Sequence, residues 1–156
     1  MNLIFAALLV AVSAGKDQAL HLYELNPKTG ALKQRDMYDL PGSPGSQCVS
    51  ADGKTLYVSV RSANSVAAFN IDHVKKTLVP LGTTDIGANA AYVATARTGR
   101  TLLWASYSGG VVGSHAINKN GSVKAGRVSR IAPARCAPRA SKSVLGPTWP
   151  RCPCKV

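Results

Sequence analysis

The apolar positions of this chain fall in short runs, separated by polar residues that are typical of turns. Residues 55–60 read T-L-Y-V-S-V and follow D-G-K at 52–54, while residues 101–106 read T-L-L-W-A-S and follow T-G-R at 98–100. Runs of this length that are rich in β-branched and aromatic residues and bounded by Gly, Asp and Asn indicate β-strands rather than a helical period. The pattern therefore predicts an all-β protein.

The two phrases lie 46 residues apart, and the same spacing recurs along the chain. It places Leu20 on Val66, Val66 on Val112, and Gly53 on Gly99, although Phe69 meets His115. The repeat links three segments, roughly 10–32, 54–78 and 100–123, and each period offers about four short strands joined by turns. Periods of about 40–50 residues with four strands are typical of β-propeller blades, which cannot bury both faces without neighbours. The repeat therefore predicts two to three blades of a β-propeller.

The apolar stretch 3–14 has two interpretations. It is too short to span a bilayer as a helix, and it resembles a signal-peptide core that ends in small residues at 12–14. No Lys or Arg precedes it, and residues 9–14 take the repeat position of 55–60. We therefore predict a strand and a cytoplasmic protein, with export through a signal-like segment as the alternative.

Charge and proline content separate the end of the chain from its body. The net charge is +12, but residues 124–156 hold eight Lys/Arg and no acid, and five of the nine prolines follow residue 126. Proline is poorly tolerated in central strands. We therefore predict a partial propeller over residues 1–126 and an irregular basic tail over 127–156, which has the composition of a truncated or frame-shifted terminus.

Four segments give the body a resemblance to a known family: L-Y-E-L-N-P-K-T-G-A-L at 22–32, V-S-A-D-G-K-T-L-Y-V at 49–58, S-V-A-A-F-N-I-D at 65–72 and the run 98–110. In order and spacing they resemble the lactonase family of seven-bladed β-propellers, the bacterial 6-phosphogluconolactonase type. The resemblance covers about residues 8–126, the first two to three blades of such a protein.

The resemblance implies a function in the pentose phosphate pathway, the hydrolysis of 6-phosphoglucono-δ-lactone to 6-phosphogluconate. That chemistry needs an acid–base residue, cations for the phosphate and donors for the oxyanion. The family residues suspected of catalysis lie in later blades, so no catalytic residue is assigned and this chain is expected to be catalytically incomplete. The alternative function is a non-enzymatic propeller-type binding module, exported or not.

Two residues are candidates for substrate binding. Arg61 and Tyr107 occupy equivalent turns of successive repeats, after strands expected on the inner side of each blade. They are predicted at the mouth of the central channel, with Arg61 meeting a phosphate; the alternative is a solvated arginine and a packed aromatic ring. Trp104 is predicted to be core, while Cys48 and the three histidines lack the partners expected of catalytic groups.

The remaining expectations concern cofactors and partners. No cofactor or metal is expected, because Cys152 and Cys154 lack the two-residue gap of zinc loops and the tail holds no histidine. The basic tail lacks interleaved aromatics and amphipathic spacing, so neither specific nucleic-acid binding nor membrane binding is expected. Two or three blades leave apolar faces uncovered, which favours self-association. The expected small-molecule partner is a phosphorylated sugar lactone.

Overall fold

A computed structural model describes residues 8–130 of the chain. These residues form eleven β-strands and one 3₁₀ turn at Arg61–Ala63. The strands are β1 Leu8–Ala14, β2 Ala19–Leu25, β3 Leu32–Asp39, β4 Pro44–Val49, β5 Thr55–Val60, β6 Ser65–Asp72, β7 Thr77–Asp85, β8 Tyr92–Thr95, β9 Thr101–Ser106, β10 Val111–Ala116 and β11 Arg127–Arg130.

The strands form three antiparallel sheets in chain order. Sheet I has the order β1-β2-β3, sheet II β4-β5-β6-β7 and sheet III β8-β9-β10-β11. The strands β5 and β9 begin 46 residues apart, and the left-handed residues Gln18, Asn64 and Gly110 in the turns that follow β1, β5 and β9 keep the same interval. The structure therefore confirms a partial propeller built on the 46-residue repeat.

The turns before β5 and β9 show why the same phrase recurs. Gly53 and Gly99 have φ angles of 72° and 67°, a left-handed conformation that glycine adopts without strain. In the first of these turns, the Asp52 carboxylate accepts hydrogen bonds from the Ser50 hydroxyl at 2.6 Å and the Lys54 amide at 3.1 Å. These bonds, the Ser50 bond foremost, lower the pKa of Asp52. The turn thus directs the chain into the strand that follows.

Two apolar layers hold the sheets together. The layer between sheets I and II includes Leu20, Leu22, Leu56, Val58 and Phe69. The layer between sheets II and III includes Tyr57, Val66, Val93, Leu102 and Trp104. Side chains alternate along β5, so Leu56 and Val58 face sheet I while Tyr57 faces sheet III, and all six residues of β5 are buried. This confirms that a sheet in this repeat is packed between its neighbours.

The equivalent residues Leu20, Val66 and Val112 summarise the packing. Leu20 and Val66 are fully buried against the next sheet, whereas Val112 on sheet III is 38% exposed. They lie on the equivalent strands β2, β6 and β10, and on the equivalent face of each sheet. Only the third lacks a neighbouring sheet among residues 8–130.

The two ends of the described segment differ in how they match the sequence analysis. The predicted strand at 9–14 is present as β1, which pairs with β2 along all seven of its residues. The strand β11 lies beyond the predicted boundary at residue 126, in the segment expected to be irregular; it contains no proline and pairs with β10. The rest of the predicted tail, including Cys136, Cys152 and Cys154, lies outside the described residues. Among residues 8–130, no helix has the length and apolarity needed to cross a bilayer.

Candidate functional site

The turns that carry the candidate residues meet at one end of the sheets, which we call the Arg61 end: residues 15–18, 40–43, 61–64, 86–91 and 107–110. Main-chain and side-chain hydrogen bonds connect the first four of these turns in succession. The Ser43 hydroxyl donates to the Gly15 carbonyl at 3.0 Å, and the Arg61 amide donates to the Ser43 carbonyl at 2.8 Å. The Ile86 amide donates to the Asn64 carbonyl at 2.9 Å. Polar groups from all three sheets therefore share this end.

The inner side of the assembly is identified by the edge strand β4, which contacts both neighbouring sheets. Its Gln47 side-chain amide donates to the Ala11 carbonyl of β1 at 2.8 Å, and its Ser46 hydroxyl accepts from the Val93 amide of β8 at 3.3 Å. The strands β4 and β8 are therefore the inner strands. The expectation that Arg61 follows an inner strand was wrong. Arg61 follows β5, which is the second strand of its sheet, next to the inner strand β4.

Arg61 nevertheless reaches the inner side of the assembly, because its side chain lies across β4. A Cβ atom on Gly45 would come within 2.6 Å of Arg61 Cδ and 2.9 Å of Ser59 Oγ, so a glycine is needed where the arginine crosses the strand. At its far end Arg61 Nε donates to Asn89 Oδ1 at 2.9 Å, in the loop that leads into β8. The guanidinium thus bridges sheets II and III beside their inner strands.

The guanidinium keeps hydrogen-bonding capacity for a ligand. Among residues 8–130, neither of its terminal nitrogens donates a hydrogen bond to protein, and the residue is exposed. A guanidinium presents a planar fork of donors that suits phosphate and carboxylate oxygens. This arrangement can hold an anion at the inner end of two adjacent sheets.

The turn that carries Arg61 is itself held by close packing. Ser62 Oγ accepts a hydrogen bond from the Ser43 amide at 2.8 Å, and a Cβ on Gly42 would collide with that same hydroxyl oxygen. Sequence reasoning assigned the G-S-P-G-S stretch at 42–46 to a turn and missed both this role and that of Asn89. The signal in the sequence that could have indicated this packing was the pair of glycines at 42 and 45, which lie against Ser62 and Arg61.

Tyr107 occupies the equivalent turn of sheet III and is 94% exposed. The alternative of a packed aromatic is therefore wrong. No described contact joins its side chain to Arg61, so the structure places the two candidates at the same end without bringing them together. The loop Tyr107–Gly110 is closed by a 3.2 Å hydrogen bond from the Gly109 amide to Ser106 Oγ.

The remaining candidates from the sequence, Trp104, His115 and Cys48, are buried or half-buried in the sheets. Trp104 is 3% exposed, which confirms it as core. His115 is buried beside it and pairs through Nδ1 with the Lys124 carbonyl at 2.9 Å. Burial raises the pKa of the half-buried Cys48 thiol to about 11, so it carries little of the reactive thiolate at neutral pH. Within the described residues, no three His, Cys, Asp or Glu side chains are grouped to hold a metal.

Comparison with protein families and curated proteins identifies relatives of this chain. The family model for the lactonase, 7-bladed beta-propeller, matches residues 7–142. The 6-phosphogluconolactonase of Xenorhabdus nematophila is 30% identical over 120 residues, covering 74% of this chain and 35% of the relative. That of Cronobacter sakazakii is 31% identical over 103 residues, covering 66% and 31%. The chain spans about a third of the length of these curated relatives.

Solved structures show the same architecture. A candidate 6-phosphogluconolactonase from Bacteroides fragilis aligns over 84% of this chain and 38% of its own, with a TM-score of 0.72 and 25% identity. The periplasmic gluconolactonase of Pseudomonas aeruginosa aligns over 74% of this chain and 34% of its own, with a TM-score of 0.68. At 21% identity, the second likeness bears on the fold alone.

Proposed function

The chain belongs to the lactonase family of seven-bladed β-propellers, and we propose that it forms part of an enzyme that hydrolyses 6-phosphoglucono-δ-lactone to 6-phosphogluconate. The curated relatives that match it carry the name 6-phosphogluconolactonase. In this reaction, water adds to the lactone carbonyl, the ring C–O bond breaks and the ring oxygen leaves as a hydroxyl with a proton. The substrate is thus a phosphorylated sugar lactone.

The observation that carries the proposal is the placement of Arg61. Its guanidinium crosses Gly45 and is oriented by Asn89 at the inner side of two sheets, where a ligand in a central channel would meet it. A phosphate dianion is the substrate group best matched to that fork of donors. We assign Arg61 to phosphate binding and Tyr107 to a second substrate contact through its phenol.

Phosphate binding alone does not hydrolyse a lactone, and the described sheets do not place the other catalytic groups beside Arg61. The reaction needs a general base within reach of the attacking water and donors for the oxyanion. Among residues 8–130, His21 and Asp17 form a histidine–carboxylate pair at 3.6 Å on sheet I, and no described contact joins this pair to Arg61 or Tyr107. Catalytic groups are therefore expected from other sheets of the complete propeller.

The binding assignment is tested with 6-phosphogluconate, the stable product, by isothermal titration of the 156-residue chain. We expect Arg61→Ala to weaken binding at least about tenfold, because the lost charge-assisted hydrogen bonds are each worth about 1.5–3 kcal/mol. The matched control is Arg97→Ala, which removes an exposed arginine outside the Arg61 end. Equal weakening in both variants, or equally tight binding of unphosphorylated gluconate, would overturn the phosphate assignment.

The catalytic expectation has a separate readout. Freshly prepared 6-phosphogluconolactone is added to the chain, and its loss is followed against the spontaneous rate. We expect binding without acceleration. Saturable turnover by the 156-residue chain would support the lactonase activity and show that the chain is not catalytically incomplete.

We also propose that the protein acts in the cytoplasm. The strand β1 supports this, because processing after Ala14 would remove a strand that pairs with β2 along its whole length. N-terminal sequencing of the mature protein tests it, since a start at Gly15 would indicate export.

A further inference from the structure

A polar cleft lies between sheets II and III, at the end of the sheets opposite the Arg61 end. Its volume is about 770 Å³, within the roughly 300–1,000 Å³ of sites that take small molecules. Sheet II contributes the turn before β5 and Asn70 of β6, and sheet III contributes the turn before β9 and the turn that follows β10. Both walls of the cleft therefore belong to sheets that the structure describes.

Positive charge is concentrated in this cleft. Its lining includes one carboxylate, Asp52, and four cations, Lys54, Arg97, Arg100 and Lys119, so the lining has a net charge of +3. The three ion pairs found among residues 8–130 include none of these four cations. A cleft lined mainly by charges of one sign raises the local concentration of ions of the opposite sign. The cleft is therefore suited to anions.

The packing of the repeat does not explain these charges. In sheet II the positions of Arg97 and Lys119 are held by Ala51 and His73, and His73 Nε2 pairs with the Gly53 carbonyl at 3.0 Å. Sheet II thus forms the same turns without a cation at either position. The cations of sheet III are an addition to the common architecture.

The floor of the cleft adds a neutral hydrogen-bonding group and a fixed wall. Asn70 lies on the face of β6 that carries Val66 and Ala68 toward sheet III, and its carboxamide can both donate and accept hydrogen bonds. The Tyr57 hydroxyl donates to the Gly121 carbonyl at 2.9 Å, which holds the turn after β10 against sheet II. The cleft is therefore a bounded site and not an open patch of surface charge.

We propose that this cleft binds a small molecule that carries a diphosphate or triphosphate group. Several cations around one cleft suit a ligand with several negative charges, and the two guanidinium groups present forks of donors that match phosphate oxygens. A single phosphate monoester meets only part of this charge and binds the cleft more weakly. The ligand bridges sheets II and III away from the Arg61 end, so this site is separate from the one assigned to the phosphate of the lactone.

Isothermal titration of the 156-residue chain with inorganic tripolyphosphate tests the proposal, in about 0.15 M salt to screen exposed charges. We expect saturable binding, and we expect Arg100→Ala and Lys119→Ala each to weaken it about tenfold or more, because each removes charge-assisted hydrogen bonds. The matched control is Lys75→Ala, which removes one exposed positive charge from a turn that does not line the cleft. This control and Arg61→Ala are expected to keep the wild-type affinity, and far-UV circular dichroism checks that every variant stays folded.

Inorganic phosphate and citrate, titrated in the same way, identify the chemistry of the ligand. We expect both to bind at least about tenfold more weakly than tripolyphosphate, since phosphate carries less charge and citrate lacks phosphate oxygens. Citrate binding as tight as that of tripolyphosphate would overturn the phosphate assignment. The site itself would be overturned by an absence of saturable binding, by equal weakening in Lys75→Ala, or by loss of tripolyphosphate binding in Arg61→Ala.

Discussion

Sheets II and III carry nearly the same sequence phrase in unlike surroundings. All six residues of β5 in sheet II are buried, while the equivalent strand β9 in sheet III alternates between buried residues and residues such as Leu103, which is 44% exposed. Both strands follow similar turns and pair with similar neighbours inside their sheets. The difference lies in what packs against each sheet.

This contrast shows that burial in a repeat of sheets is set by position in the stack. Each Å² of apolar surface removed from water contributes about 25 cal/mol, so the same side chain stabilises the protein more in sheet II than at the uncovered face of sheet III. The middle sheet is therefore expected to carry a disproportionate share of the stability of residues 8–130.

The largest expected effect comes from truncating the same repeat position in the two sheets. Tyr57 is fully buried, and its hydroxyl donates at 2.9 Å to the carbonyl of Gly121, in the connection between β10 and β11. Because large-to-alanine changes at buried aromatics cost about 3–5 kcal/mol, Tyr57→Ala is expected to lower the free energy of unfolding by about that amount. Leu103→Ala is expected to cost below about 1 kcal/mol in the absence of association. Urea unfolding at one fixed, low protein concentration measures both.

The variant Tyr57→Phe separates the hydrogen bond from the packing. It is expected to cost about 1–3 kcal/mol, because the Gly121 carbonyl loses its buried donor. Equal costs for Tyr57→Ala and Leu103→Ala would contradict the idea that position in the stack decides the contribution of each residue.

A second pair of equivalent positions shows how the two sheets fill the same space differently. In sheet II, Val58 of β5 pairs with Ala67 of β6; in sheet III, Trp104 of β9 pairs with Gly113 of β10. A Cβ on Gly113 would collide with the indole ring of Trp104. The larger ring in sheet III is therefore matched by the loss of a methyl group opposite it.

Exchanging these residues tests the compensation. Gly113→Ala is expected to cost about 1–3 kcal/mol through overpacking against the indole. The double variant Trp104→Val with Gly113→Ala reproduces the pair found in sheet II, so its cost is expected to fall short of the sum of the single costs by about 0.5–3 kcal/mol. Strict additivity in urea unfolding would show that the two residues do not compensate each other.

Much of the fold could be predicted from the sequence because the repeat carries local information. The Gly53 and Gly99 turns and the alternation along 55–60 predict strand positions, and β5 is found at the predicted bounds. Which strand lies innermost could not be predicted in this way. The position of the inner strand depends on contacts between sheets, such as those of Gln47 and Ser46 with the neighbouring strands. The local sequence of β4 does not predict these contacts.

The candidate site was predicted in part for the same reason. The repeat register predicted that Arg61 and Tyr107 share an end of the molecule. Two contacts of Arg61 could not be predicted in this way. Its side chain crosses Gly45, which is 16 positions earlier, and donates to Asn89, which is 28 positions later. Both contacts depend on the direction in which the side chain points. The strand β11 was missed because only four residues pair, next to a proline-rich segment.

The smallest expected effect concerns charge between the sheets. Lys76 of sheet II donates to Glu24 of sheet I at 2.6 Å, and Arg35 lies 3.5 Å from the same carboxylate. The hydrogen bond from Lys76, opposed by partial burial, lowers the pKa of Glu24 below its usual 4.5. Residues 92–130 hold no acid, so the contact between sheets II and III has no corresponding carboxylate on the sheet III side.

Lys76→Gln is therefore expected to lower the thermal midpoint slightly at pH 7. The control is Lys75→Gln, which removes the same charge from the neighbouring residue of the same turn. Because the folded-state pKa of Glu24 is depressed, its contribution is present above the unfolded-state value and is lost as pH falls through the folded-state pKa. The difference between wild type and Lys76→Gln should thus vanish in acid and shrink in about 1 M salt, where the screening length is about 3 Å. A difference that persists unchanged below pH 4.5 would show that Lys76 stabilises the contact through the packing of its aliphatic stem and not through its charge.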